Sequence, residues 1–161
     1  MEKEFLTLAS SSPERTREIG QAIGIACRSG DVITVSGGLG SGKTTLTQGI
    51  ALGLGVKDPV TSPSFVLMKH YSGDKVNLTH LDLYRVESEE EVLELDLEEF
   101  SRAGDVVVIE WPDRFYPVLP EQHLNLRIDC DESGGRIIKI NGIGERGKAM
   151  VNQLKISFHR G

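Results

Sequence analysis

The apolar positions of the chain form continuous runs and helical stripes, which predict alternating strands and helices. A buried strand is predicted at 31–36, and the continuous apolar run at 106–109 is typical of a strand covered on both faces. Further strands are predicted at 4–9, 123–130 and 136–141, the last two joined by a turn at 133–135. A hairpin is predicted from strands at 65–71 and 76–84 around the turn 72–75.

Helical spacing begins after Ser12, which is placed as an N-cap with Pro13 as the first helical residue. Gly30 is expected to cap the end of this helix. Its predicted buried stripe is Ile19, Ala22, Ile23, Ala26 and Cys27. Helices are also expected at 45–54, after a capping box at 88–91, and from about residue 145. The pattern predicts one α/β domain over residues 1–161, with three layers, a central mixed sheet and a hairpin-rich portion.

The segment between the strand at 31–36 and the helix at 45–54 carries the clearest chemistry. It reads Gly37-Gly38-Leu39-Gly40-Ser41-Gly42-Lys43-Thr44, which fits G-x-x-x-x-G-K-[ST]. In such a loop glycines let the backbone approach phosphate oxygens, the lysine contacts the β- and γ-phosphates, and the hydroxyl ligates Mg²⁺. We therefore predict a P-loop NTPase-like fold that binds a nucleoside triphosphate, with Thr45 also beside the phosphates. Guanine specificity usually rests on an Asn-Lys-x-Asp tetrapeptide, and because none occurs in this sequence ATP is favoured over GTP.

Two carboxylates are candidates to meet the triphosphate. Glu110 closes the strand at 106–109, and ligands collect at the carboxyl ends of such strands. It either holds Mg²⁺ through water, orients the attacking water, or is merely solvated at a strand end. Asp82 shares a strand face with His80 and is either a second carboxylate at the metal or the partner of Arg85 or a lysine. His80 is interpreted as a packed or hydrogen-bonded histidine.

Three other features have two readings each. Residues 61–65 occupy a position where many NTPases carry a switch loop, although their composition favours an ordinary capped loop. Trp111, the only tryptophan, lies near the nucleotide or a partner, or packs in the core. The acidic segment 87–99 is a solvated helix face or a docking surface for a basic partner.

Composition narrows the class of protein. A formal net charge of −6 argues against this chain alone gripping RNA. Cys27 and Cys130 show no zinc-site spacing, and both are expected to be buried apolar residues. Without a basic leader or a long apolar run, a cytoplasmic location is expected.

The segments GGLGSGKTTLTQGI, VTSPSF, HLDLYR and VVIEWPDRF, in this order, closely resemble the TsaE family of small P-loop ATPases, also called YjeE. The resemblance covers nearly the whole chain, and HLDLYR and IEWP are more specific to the family than the phosphate loop. It implies a bacterial protein needed to form N-threonylcarbamoyladenosine in tRNAs that read codons beginning with A. It further implies that ATP hydrolysis lets a complex with TsaB and TsaD turn over, with tRNA held mainly by those partners.

Carried over by position, the resemblance assigns roles to individual residues. Residues 37–44 bind phosphate, and Thr44 and Glu110 hold Mg²⁺. Asp82 becomes a further metal-site or catalytic carboxylate, and Ser64 becomes a switch hydroxyl. The expected catalytic residues are thus Lys43, Asp82, Glu110 and Ser64.

The resemblance also makes Trp111 a functional neighbour of Glu110 and places residues 12–16, including Ser12, near the adenine. Gly38 stands where the family commonly has aspartate, so any role of that carboxylate is absent. Because no obvious arginine finger apart from Arg85 or Arg114 lies in cis, hydrolysis is expected to be slow until partners bind. The rival interpretations are a small-molecule kinase, against which no arginine-rich lid follows the loop, and an ATP-binding adaptor whose nucleotide state controls docking.

Overall fold

A computed structural model describes residues 5–159, and the strands among them form one seven-stranded mixed sheet. The strands are β1 (Phe5–Ser10), β2 (Val32–Ser36), β3 (Met68–Tyr71), β4 (Leu78–Asp82), β5 (Val106–Glu110), β6 (His123–Cys130) and β7 (Arg136–Ile143). Their order is β1-β7-β6-β2-β5-β4-β3. β6, β2, β5 and β4 run parallel, while β7 is antiparallel to β1 and β6, and β3 is antiparallel to β4. The loop after β2 therefore leaves from the middle of the sheet.

Helices cover both faces of this sheet. They are α1 (Pro13–Ala26), α2 (Lys43–Gly53), α3 (Glu89–Glu94), α4 (Leu97–Arg102) and α5 (Gly144–His159), with a 3₁₀ helix at Tyr116–Val118. One apolar core joins α1, α2 and α5 to the sheet, and a second core on the other face contains residues of α3 and α4. The predicted three-layer α/β architecture with a central mixed sheet is confirmed.

The first helix begins as predicted and ends earlier. The Ser12 Oγ accepts a first-turn backbone N–H at 3.1 Å, with Pro13 at the first helical position. The predicted C-terminal cap at Gly30 is wrong, because the helix stops at Ala26 and Cys27 is the cap residue. Gly30 instead has φ +89° within the turn that leads into β2.

Close contact with α1 fixes the position of α2, the helix that follows the phosphate loop. Glycines of the two helices face one another, and a Cβ added at Gly24 would lie only 2.2 Å from the Ile50 carbonyl oxygen. A Cβ at Gly20 would lie 2.4 Å from the Leu46 carbonyl oxygen. The backbone of α2 thus rests directly on the backbone of α1, which leaves little freedom for the loop attached to it.

The predicted hairpin forms, but both of its strands are shorter than expected. The N–H groups of Val66 and Leu67 both donate to the Pro63 carbonyl, at 3.0 and 2.7 Å. Leu67 has φ +71°, so this segment folds as a turn rather than as the start of β3. At the other end, β4 stops at Asp82.

The remaining strands and the C-terminal helix agree with the sequence prediction, with one exception among the cysteines. Residue 4 of the first predicted strand lies outside the described residues. Cys27 is buried as expected, but Cys130 is exposed because it ends β6 next to the turn into β7. In the described part of the chain, no helix combines the length and apolar character needed to cross a bilayer.

Candidate functional site

The loop between β2 and α2 has a backbone that requires glycine. Gly37 has φ +149°, and a Cβ there would lie 2.4 Å from the Ile128 carbonyl oxygen. Gly42, the residue before α2, has φ +108°. Side chains are strained at such angles, so the loop conformation depends on these glycines. The first turn of a helix leaves backbone N–H groups without intrahelical partners, which makes the start of α2 suited to an anion.

Lys43 points back along this loop. Its Nζ donates to the carbonyl oxygens of Gly37 at 2.9 Å and Gly38 at 2.8 Å, and it lies 4.1 Å from the centre of the Trp111 ring. Burial lowers the pKa of Lys43, while the nearby carboxylates of Glu110 and Asp82 act in the opposite direction. The ammonium is thus held where an incoming phosphate could replace its carbonyl partners.

Asp82 and Glu110 end neighbouring parallel strands and pair with each other in register. Glu110 also pairs with Val35 of β2, so both carboxylates stand beside the strand that leads into the loop. Their residues are 5% and 2% exposed. Within residues 5–159 Asp82 makes no ion pair with Arg85 or a lysine; its Oδ1 accepts the Tyr84 N–H at 2.9 Å.

The electrostatic environment of Asp82 follows from this burial. Desolvation raises the pKa of Asp82, the hydrogen bond from the Tyr84 N–H lowers it, and the negative charge of Glu110 raises it again. A cation bound between these two buried carboxylates would relieve the repulsion between their negative charges.

The loop and the carboxylates line one open cavity of about 450 Å³. The lining residues are Leu39, Gly40, Gly42, Lys43, Thr44, Thr45, Ser62, Ser64, Asp82, Tyr84, Arg85, Glu110 and Trp111. The four expected catalytic residues are therefore brought together. The segment 61–65 contributes hydroxyls to the same cavity, with the Oγ atoms of Ser62 and Ser64 3.3 Å apart.

Trp111 lies at this cavity rather than in either core. It is partly exposed, has φ +56°, and its ring is tilted against Tyr84 with centroids 4.8 Å apart. Since a tryptophan with positive φ is uncommon, the surrounding contacts hold it in place. Of its two readings, the position beside the predicted nucleotide agrees with this geometry.

Ser12 lies on the other side of the phosphate loop, in a second cavity of about 190 Å³. Gly40, Gly42 and Thr45 line both cavities, so the two adjoin at the loop. This arrangement agrees with a nucleotide whose phosphates and base occupy adjoining spaces.

Two site contacts were missed by the sequence reasoning. The Arg136 guanidinium, from the first residue of β7, donates to the carbonyl oxygens of Ser41 at 2.7 Å and Gly40 at 3.2 Å. The Nε2 atom of His80 is hydrogen-bonded to Glu110 Oε2 in the buried sheet. No local pattern indicates either pairing, because both join residues far apart in sequence.

The two arginines considered as fingers differ in position. Arg114 donates to the Val86 carbonyl and is thereby tied away from the loop. Arg85 lines the cavity and lies 4.7 Å from the centre of the Phe65 ring. Arg85 is thus the one of the pair that reaches the cavity.

The oxygen donors at the cavity fit magnesium. Thr44 offers a hydroxyl, and Asp82 and Glu110 offer carboxylates, which are ligands that this hard cation prefers. Within residues 5–159 no group of three or more His, Cys, Asp or Glu side chains could hold a metal by itself. The donor set therefore suits Mg²⁺ bound jointly by protein and phosphate oxygens.

Comparison with known proteins decides the family. The model of the family described as "Threonylcarbamoyl adenosine biosynthesis protein TsaE" matches residues 10–138. The chain belongs to the TsaE family. It is 42% identical to the tRNA threonylcarbamoyladenosine biosynthesis protein TsaE of Streptomyces coelicolor, covering 81% of this chain and 92% of that protein. It is 35% identical to the protein of the same name from Bacillus subtilis, covering 89% of each.

The fold agrees with this assignment. A crystal structure of Bacillus subtilis YdiB superposes with a TM-score of 0.84 at 28% identity, covering 100% of this chain and 99% of that one. The chain has a P-loop NTPase-like fold with nucleotide-binding ATPase character, and the TsaE family acts in tRNA threonylcarbamoyladenosine biosynthesis.

Proposed function

We propose that this chain is a cytoplasmic, Mg²⁺-dependent ATP hydrolase, acting as one domain over residues 1–161, that works with TsaB and TsaD to threonylcarbamoylate tRNA. The observation that supports this most is the cavity in which the phosphate loop faces Asp82 and Glu110. ATP hydrolysis lets the complex turn over. The net charge of −6 agrees with tRNA being held mainly by the partners.

Different residues bind the phosphates, the magnesium ion and the adenine. Backbone N–H groups of 37–45 and the Lys43 ammonium hold the phosphates. Thr44 and Glu110 would hold Mg²⁺, with Asp82 as a further carboxylate, and the ion would supply positive charge that neutralises the phosphate oxygens. Ser12 and its neighbours lie near the adenine, Trp111 packs beside the phosphates, and Ser64 senses the γ-phosphate.

The hydrolytic step needs a water placed in line with the γ-phosphorus. A carboxylate of the Glu110 and Asp82 pair accepts a hydrogen bond from this water and orients it. The water oxygen forms a bond to the γ-phosphorus while the bond to the β-phosphate oxygen breaks, and one proton of the water passes to another oxygen of the transferred phosphate, giving ADP and inorganic phosphate. An arginine finger that stabilises the transition state is needed for fast hydrolysis, and the Arg85 guanidinium instead packs on Phe65. Hydrolysis is therefore slow until partners bind.

A reconstituted reaction with TsaB, TsaD, tRNA and ATP tests this function. Threonylcarbamoylated tRNA should accumulate over many turnovers only when this chain is present. Lys43→Ala and Glu110→Gln should each abolish repeated turnover, whereas Lys148→Ala and Glu145→Gln, at exposed positions, should not. Equal modification without the chain contradicts the proposal, and full modification with Glu110→Gln favours an adaptor. Transfer of the γ-phosphate to a metabolite favours a kinase.

A further inference from the structure

The buried contact between His80 and Glu110 carries an inference that rests on the proposed ATPase function. His80 and Asp82 lie two residues apart on β4, so their side chains share one face of the sheet. On β5, His80 pairs with Val108 and Asp82 pairs with Glu110. The imidazole therefore lies diagonally behind the Glu110 carboxylate, on the face covered by α1 and α2.

This contact leaves the two carboxylate oxygens of Glu110 unequal. Within residues 5–159, the His80 ring makes the only hydrogen bond to the Glu110 side chain, at Oε2. The same residue lines the cavity that holds the phosphate loop. The ring thus fixes one oxygen and leaves Oε1 for a ligand in the cavity.

Within residues 5–159, the His80 ring has a hydrogen-bond partner at only one of its two nitrogens. It is 0% exposed, and in the described part of the chain its Nδ1 has no hydrogen-bond partner. Nδ1 is therefore a buried polar atom that gains no hydrogen bond in the fold, which costs stability. Any role of the ring beyond packing acts through its bond to Glu110.

We propose that His80 is a positioning residue for ATP hydrolysis: its Nε2–H holds Glu110 so that the free oxygen faces the magnesium ion and the attacking water. Partners that orient a metal-binding side chain typically change metal affinity or activity by about 10–100-fold when removed. The effect should fall on turnover and on the magnesium dependence of binding. It should leave the phosphate-loop contacts intact, because His80 does not line the cavity.

Matched amide variants separate positioning from packing. The side-chain nitrogen of Gln reaches about as far as Nε2, whereas that of Asn reaches only about as far as Nδ1. His80→Asn should lower kcat at saturating ATP and Mg²⁺ by about 10–100-fold, and His80→Gln should recover most of this loss. His80→Leu should behave like the Asn variant. His70→Asn, an exposed position on β3, serves as the control that retains full activity.

A binding measurement gives a readout separate from activity. ADP affinity is measured by calorimetry with EDTA and with excess Mg²⁺. His80→Asn should keep the wild-type affinity in EDTA and lose most of the Mg²⁺-dependent gain. Equal behaviour of the Asn and Gln variants, or wild-type turnover and Mg²⁺ dependence in the Asn variant, overturns the inference.

The two proposals can fail separately. If the wild type hydrolyses no ATP, the proposed function fails, and the magnesium dependence of ADP binding still decides the role of His80. If His80→Leu does not fold, the two amide variants suffice.

Discussion

Removing Arg136 should weaken nucleotide binding because this residue, at the start of β7, holds the phosphate loop by two hydrogen bonds. Its guanidinium donates to the Ser41 carbonyl at 2.7 Å and the Gly40 carbonyl at 3.2 Å. A hydrogen bond from a charged donor contributes about 1.5–3 kcal/mol. Arg136 is partly exposed, so we discount the pair of bonds to roughly 1–2 kcal/mol in total.

That energy orders the loop before a ligand arrives. Without it, nucleotide binding must order the loop, and the Kd for ADP with Mg²⁺ should rise by about 5–30-fold in Arg136→Ala, at 1.4 kcal/mol per tenfold. Isothermal titration calorimetry measures the change. Arg102→Ala is the matched control, because Arg102 is 64% exposed, pairs with Glu99 within α4 and lines neither cavity.

A second ligand separates loop ordering from direct contact with the base. Arg136 also lines the cavity beside Ser12, so it could touch the nucleotide itself. Inorganic tripolyphosphate has no base, and loop ordering predicts that its affinity falls by the same factor as that of ADP. Wild-type affinity of Arg136→Ala for both ligands would refute the reasoning.

Three further predictions follow from buried polar groups and thiols. In the described chain the Ser41 Oγ is buried without a hydrogen-bond partner. Ser41→Ala should therefore raise the free energy of unfolding in urea by about 1 kcal/mol, and a clear loss would show an overlooked partner. Because folding raises the pKa of Asp82, the free energy of unfolding should fall as pH rises from the ordinary aspartate pKa through the raised one. In urea titrations Asp82→Asn should flatten this decline, and the same variant should abolish ATP turnover. An unchanged pH dependence of stability in Asp82→Asn would contradict the assignment. Burial raises the pKa of the Cys27 thiol to about 12, so an aromatic disulfide reagent should label only Cys130 rapidly, and fast labelling that persists in Cys130→Ser would contradict this.

The sequence predicted those parts of the molecule that local signals determine. Ser12 and Pro13 mark the start of α1, and the apolar run at 106–109 followed by Glu110 places a carboxylate at the end of a central strand. A phosphate-loop motif between a strand and a helix determines its own conformation through its glycines. These features need only neighbours in the chain, and they include most of the cavity lining.

The features that the sequence could not predict are of two kinds. In some, one local conformation competes with another, and in others the contact joins residues far apart in sequence. Apolar residues 65–67 read as strand, but the two N–H groups bonded to the Pro63 carbonyl turn the chain there. Cys130 is apolar in character, yet its place beside the hairpin turn exposes it. The contacts of Arg136 with the loop and of His80 with Glu110 arise from sheet order, which brings together residues tens of positions apart.

A crystal structure with Mg²⁺ and a non-hydrolysable ATP analogue tests the central claim most directly. We predict that the backbone N–H groups of 37–45 and the Lys43 ammonium contact the phosphates, with Mg²⁺ between the γ-phosphate, Thr44 and Glu110. Displacement of Lys43 from the Gly37 and Gly38 carbonyls should accompany binding. A triphosphate bound elsewhere, or a metal with neither Glu110 nor Asp82 within reach of its ligands or waters, would contradict the account.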